Sequence, residues 1–351
     1  LHRAGAAAAP PSPMPSSLSR RALLGHAAAL PLLPWALPLA AQATPPARPI
    51  FVLNSLDASV SVIDPVSFAE IKRIPTGKEP HHLYLTPDEK SLLVANALSN
   101  SLTFIDPATA EVQRVLGDIV DPYQLRFSPD MKWFVTAANR LDHVDLYHWL
   151  PQDAAKPLKL IKRIPAPKTP SHLYVDSRST VVYVSLQDSD ELMAIDLATQ
   201  TPRWKTRTGK MPADVYLTRD DQRLFVGLTG DKVVEVYDVS GAAPKLLQRI
   251  STGEGAHAFR GRGDGRHLFV SNRVANTISL IDTQSMAVVS ELPGPSGPDC
   301  MEVLADGKTL LVSSRWARKL TFIDIESRKV LRQIPVGRSP HGVWTLDHAP
   351  R

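Results

Sequence analysis

The chain has 351 residues, carries 40 Lys and Arg against 35 Asp and Glu, and contains a single cysteine, Cys300. One cysteine excludes an internal disulfide, so the fold must be held by burial and strand pairing alone. Three of the arginines and none of the acids fall in residues 1–43, which leaves 37 basic against 35 acidic residues beyond them, no basis for nucleic-acid binding.

The first predicted element is an address label. Ser19-Arg20-Arg21-Ala22-Leu23-Leu24 precedes an apolar stretch that ends in Ala41-Gln42-Ala43, a small-residue cleavage pattern. The arginine pair reads as a twin-arginine export signal over residues 1–43. Pro31, Pro34 and Pro38 interrupt the apolar stretch, against a membrane anchor. Met14 is the first methionine, and a start there sets the arginine pair at a usual distance. No second apolar run reaches membrane-spanning length. The expectation is a soluble periplasmic protein, monomeric, with a periplasmic protein as an open partner class.

From residue 44 onward the chain repeats. An apolar-apolar-Asp step recurs at Val62-Ile63-Asp64, Phe104-Ile105-Asp106, Ala194-Ile195-Asp196, Val236-Tyr237-Asp238, Leu280-Ile281-Asp282 and Phe322-Ile323-Asp324. His148 stands where the third unit would have its Asp, and successive anchors lie 42, 42, 48, 42, 44 and 42 residues apart. This period predicts an all-β, seven-bladed β-propeller over residues 44–351, with four short strands per blade. One unit shows why. Leu83-Tyr84-Leu85 stops at Thr86-Pro87-Asp88, Leu92 to Ala95 stops at Asn96, and Ser101 to Ile105 stops at Asp106-Pro107. Runs this short and this regularly punctuated are strands. The 48-residue step is explained by a loop insertion over residues 151–157.

The chain ends predict closure. Residues 51–77 hold only three of the four strands, and Ser339 to Leu346 is an innermost strand with no blade of its own. Pairing the C-terminal strand with the N-terminal three completes the ring and leaves no open edge.

Phe269-Val270-Ser271-Asn272, Leu93-Val94-Ala95-Asn96 and Phe51-Val52-Leu53-Asn54 resemble the tetrad of YVTN-type β-propeller repeats, and the openings at Gly77–His81 and Gly337–His341 are similar to the same family. The resemblance covers about residues 48–351. It implies periplasmic or surface-layer propellers, with relatives that carry haem d1 or assist its assembly, and others that are lactonase-like hydrolases. No Cys-x-x-Cys-His motif is present, which speaks against a self-contained haem cd1 reductase.

Aligning the innermost strands gives one polar column: His82, Gln124, His172, Asp214, His257, Cys300 and Gly342. A preceding column reads His81, Tyr123, Ser171, Ala213, Ala256, Asp299 and His341. Strand alternation predicts that only one column lines the axial channel, and the first is preferred. Its imidazoles, carboxylate and thiol suit a transition metal, with His82, His172 and His257 as ligands and Asp214 and Cys300 in support. One histidine would also suffice as the axial ligand of a haem d1-like tetrapyrrole. The bland alternative is a polar, water-filled channel.

Arg140, Arg273 and Arg315 follow the second strands and, with Gln124, Asn96 and Asn272, make a candidate surrounding for an anionic ligand. Their structural alternatives are loop ion pairs and turn formation. Asp88, Asp130, Asp220, Asp264 and Asp306 read as turn chemistry, and the repeated strand-three Asp as a structural acceptor. No Gly-x-Ser-x-Gly elbow, phosphate loop or His-Glu-x-x-His pattern occurs, so no catalytic residue is assigned. The preferred function is a binding or assembly propeller for a metal, tetrapyrrole or small anion. A lactonase-like hydrolase and a pure interaction scaffold remain the alternatives.

Overall fold

The computed structural model describes residues 48–351, so the export segment read from residues 1–43 lies outside the described residues. Short apolar runs, punctuated at close intervals by turns, form seven antiparallel sheets of four strands. This is the expected seven-bladed propeller. Blade 1 joins Ile50–Asn54, Ser59–Ile63 and Glu70–Pro75 to the C-terminal strand Pro340–Thr345, pairing Phe51 with Trp344 and Val52 with Val343. Blades 2 to 7 begin at the innermost strands Pro80–Leu85, Pro122–Phe127, Pro170–Val175, Pro212–Leu217, Ala256–Gly261 and Pro298–Val303.

Packing follows from strand alternation. Central strands send apolar side chains to both faces, and each face is covered by the neighbouring blade. Between blades 1 and 2, Phe51, Val60 and Trp344 meet Leu92, Val94 and Ile105. Between blades 7 and 1, Leu311, Leu320 and Phe322 meet Ile50, Val52 and Val343. Burying side chains of this size is worth about 1.5–3 kcal/mol each, so the apolar stacking between blades holds the ring. The outermost strands face solvent; Lys245–Ser251 buries Ile250 alone. No helix of the described residues is long and apolar enough to cross a membrane.

The repeated polar residues have local duties. Asp106 accepts from the backbone N–H groups of Ala108 and Thr109, and Asp282 from that of Gln284. The strand-three Asp thus caps the turn into the outermost strand, as its repetition suggested. Asp88 and Asp306 likewise accept backbone N–H groups within their own turns. The insertion at residues 151–157 connects the third and fourth strands of blade 3.

Candidate metal centre

Every innermost strand carries a β-bulge near its start. In blade 2, Pro80 pairs with Asn96 but Leu83 pairs with Val94, so His81 and His82 together face the single residue Ala95. The same shift occurs in the other six blades. A bulge places two residues opposite one and breaks the alternation of the strand. The expectation that only one of the two columns lines the channel therefore fails. The His341 ring lies 3.6 Å from that of His81 and 4.7 Å from that of His82, centroid to centroid, so both residues of the blade 2 pair reach one cluster.

Register also moves one residue between columns. Ala256 pairs with Asn272 just as Pro80 pairs with Asn96, so His257 aligns with His81, not with His82. The first bulge position is His81, Tyr123, Ser171, Ala213, His257, Asp299 and His341. The second is His82, Gln124, His172, Asp214, Ala258, Cys300 and Gly342. Ala256 replaces the proline that opens every other blade, so the sequence carries no proline marker of this register.

The centre of the cluster is Asp299, which is fully buried. Its Oδ1 lies 3.4 Å from His257 Nε2 and 3.2 Å from His341 Nε2. Its Oδ2 accepts from Arg273 Nη2 at 2.7 Å and faces Arg315 Nη1 at 3.4 Å. His341 Nδ1 is 2.8 Å from the carbonyl of His81. A carbonyl only accepts, so Nδ1 carries the proton and Nε2 of the neutral ring is a lone pair aimed at the carboxylate. His257 is fixed in the same sense. Arg273 Nη2, which only donates, is 2.5 Å from its Nε2, and its Nδ1 meets Thr229 Oγ1 at 2.9 Å. Outer partners that hold the Nδ1 of a histidine are the usual means of orienting a ligand.

Burial sets the charge states. It pushes His82 down to about 3 and His257 down to about 4, and it holds His81, His172 and His341 well below the ordinary histidine value. All five imidazoles are neutral at pH 7. Burial also works against an ionised Asp299, but the Arg273 guanidinium beside it holds the carboxyl well below its usual range. Two groups of ligand atoms lie within 4.8 Å of one another: His257, Asp299 and His341, and His81, His82 and His341. His81 Nδ1, His82 Nε2 and His341 Nε2 are buried without a hydrogen-bond partner among the described residues. Buried polar atoms are normally satisfied, so three at one point mark a place built for something else.

The other residues singled out in the sequence divide clearly. His172 stands beside His82 and His257, with ring centroids 5.1 and 5.6 Å away, but joins neither ligand group. Gln124 and Asp214 are buried and serve the neighbouring blade, accepting from the backbone N–H of Leu173 and Phe259 respectively. Burial pushes Asp214 up to about 6. Cys300 is held as a thiol by burial and by the Asp299 and Asp214 charges. With His82, His172 and Arg126, these residues line a cavity of about 100 Å³. Arg140 pairs with Asp121 at 2.7 Å and Glu79 at 2.8 Å. Asn96 and Asn272 are buried and tie strands two and three through Thr103 and Ser279, so they are neither turn formers nor open to a ligand. Arg273 and Arg315 alone of this set converge on the cluster. Asp299, His341 and His81 were on view in the sequence, each directly after a blade-opening proline, but the assumption of alternation set them aside.

The chain belongs to the YNCE-like β-propeller family, whose sequence model matches residues 19–351. A comparison with curated protein sequences finds no match. Among solved structures, the dihydro-heme d1 dehydrogenase NirN in complex with DHE is similar at 18% identity and TM-score 0.63, covering 85% of this chain and 75% of that one. The periplasmic gluconolactonase PpgL of Pseudomonas aeruginosa is similar at 18% identity and TM-score 0.72, covering 85% and 98%. A functionally unknown protein from Desulfotomaculum acetoxidans reaches TM-score 0.72 at 16% identity, covering 85% and 98%. At these identities the likeness concerns the fold.

Proposed function

We propose that this YNCE-like β-propeller is an exported binding protein that holds one divalent transition-metal ion at its axial mouth. The ligands are His257, Asp299 and His341; His81 and His82 form a second group with His341. The observation that carries this reading is the bare His341 Nε2 facing Asp299 Oδ1 at 3.2 Å, with His257 Nε2 at 3.4 Å from the same oxygen. Two acceptors in contact repel, and a cation between them turns the contact into an attraction. A tetrahedral ion with bonds of about 2.0–2.1 Å separates its ligand atoms by about 3.3 Å. Neutral imidazoles and one carboxylate suit Zn²⁺, Cu²⁺ or Ni²⁺.

Binding is favoured over hydrolysis because the one carboxylate of the cluster is already held by two arginines, and the oxygens of Asp214 accept backbone N–H groups. The cavity of about 100 Å³ is well below the roughly 300–1,000 Å³ of small-molecule pockets, so a tetrapyrrole would have to lie across the outer mouth. Export rests on the arginine pair and the Ala41-Gln42-Ala43 pattern; one structural neighbour is itself described as periplasmic. Arg20→Lys with Arg21→Lys should leave precursor in the cytoplasm, and an unchanged periplasmic yield would refute the twin-arginine route.

The test of binding is calorimetric titration of metal-stripped protein with Zn²⁺ and Cu²⁺. One ion per chain is expected, lost in His341→Ala and in Asp299→Leu. Failure of the wild type to take up either ion would overturn the proposal.

A further inference from the structure

Arg273 already occupies part of the metal seat. Its Nη2 donates to His257 Nε2 at 2.5 Å and to Asp299 Oδ2 at 2.7 Å, two of the three proposed ligand side chains. The imidazole nitrogen has a single lone pair, so it cannot accept from Arg273 and bind an ion at once. An ion on His257, Asp299 and His341 must therefore displace this guanidinium. Arg273 is only partly engaged where it stands, since its Nε is buried without a partner. Arg315, one blade further round, makes its sole side-chain hydrogen bond among the described residues to the same Asp299 oxygen, at 3.4 Å. The two side chains keep 17% and 27% of their surface exposed, so both have room to turn outward.

We infer, on the basis of the metal reading above, that Arg273 is a built-in competitor of the metal ion, and that its release creates a seat for a small carboxylate anion. Two guanidinium groups that reach one oxygen are close enough to clamp one carboxylate between them. A divalent ion beside two arginines, with Asp299 as the one neighbouring carboxylate, leaves a strong positive excess at the mouth. An external carboxylate offsets it. The arginines thus exchange a protein carboxylate for a ligand carboxylate, and the anion sits next to the ion. Coupling of this kind is reciprocal, so the anion must tighten metal binding by the same factor as the metal tightens anion binding.

The experiment is Zn²⁺ titration of the metal-stripped full chain in acetate and in chloride at equal ionic strength. Wild-type affinity should rise about tenfold in acetate, within the usual range of coupling between sites. Arg273→Met should bind Zn²⁺ about tenfold more tightly than wild type in chloride, the worth of a hydrogen bond to a charged group, and should lose the acetate effect. Arg315→Met should leave affinity in chloride nearly unchanged while reducing the acetate effect. Should Arg273→Met fail to fold, Arg273→Gln serves as the second variant. If the Arg273 variant binds Zn²⁺ no tighter than wild type, the competitor is refuted. If wild-type affinity is equal in the two salts, the carboxylate seat is refuted. If no protein binds Zn²⁺ or Cu²⁺, the metal reading itself falls, and this inference with it.

Discussion

Two substitutions at Asp299 test whether His341 presents a bare lone pair. Asp299→Leu removes both acceptor oxygens and leaves Arg273 without its carboxylate. Breaking a buried charge pair from one side costs about 3–5 kcal/mol, and the partial exposure of Arg273 favours the lower end. Asp299→Asn behaves differently. Its oxygen still accepts from Arg273, at a loss of about 1.5–3 kcal/mol for replacing a charged acceptor, while its amide can donate to His341 Nε2, 3.2 Å from the present oxygen. That new hydrogen bond recovers about 1 kcal/mol and ends the contact between two acceptors. In metal-free protein, Asp299→Asn should therefore cost at most about 2 kcal/mol and stand above Asp299→Leu by at least about 1 kcal/mol. The assay is urea denaturation at pH 7.5 with a chelator present. Equal loss in the two variants would show that His341 donates to Asp299 as an imidazolium, and the central argument for a metal seat would be lost.

Stability of the metal-free protein should fall on acidification through the histidine range. The unfolded chain binds protons near pH 6.5, while folded His257 and His82 resist until about 4 and about 3, so the stability present above pH 7 is lost as pH drops from 6.5 toward 4. His257 alone accounts for roughly 3 kcal/mol of that loss. Asp214, raised to about 6, acts in the opposite sense over pH 3.8–6, and so does Asp121, which burial also raises, but these are two groups against five imidazoles. A urea midpoint that does not move between pH 7.5 and 5 would contradict the burial of these rings. Ring closure has its own test. Trp344 is 3% exposed in the cluster between blades 1 and 2, so Trp344→Ala should cost about 3–5 kcal/mol. Trp316 is 55% exposed, and Trp316→Ala should stay within about 0.5 kcal/mol of wild type; similar losses in the two would argue against the shared blade.

The ring was legible because its signals are redundant. Asp64, Asp106, Asp196, Asp238, Asp282 and Asp324 repeat one turn at near-constant spacing, and each copy checks the others. The unpaired strand from Ser339 to Leu346 then settles the closure, since residues 51–77 lack one strand. The site lacked that redundancy. His257 was assigned to the wrong column because Ala256 stands where six blades have proline, and a single substitution at an anchor shifts a register by one. Asp299 and His341 were set aside on a rule that holds for regular strands and fails at a bulge. The duty of Arg140 was decided by Glu79 and Asp121, partners 61 and 19 residues away in the chain, which no local pattern reveals.

The bulge also explains why the chemistry is concentrated at this end of the ring. A regular strand would send one residue per blade to the mouth. Doubling the residue at each entry brings His81 and His82 from one strand to the same point as His341 from the next blade. Blades 6, 7 and 1 then supply His257, Asp299 and His341 at the same first position, three consecutive places around the ring. Blades 3, 4 and 5 put Tyr123, Ser171 and Ala213 there, which cannot complete such a set. The asymmetry is the functional signal. A repeat conserves its fold by making blades alike, and it acquires a site only where neighbouring copies depart from one another at a position the fold does not need.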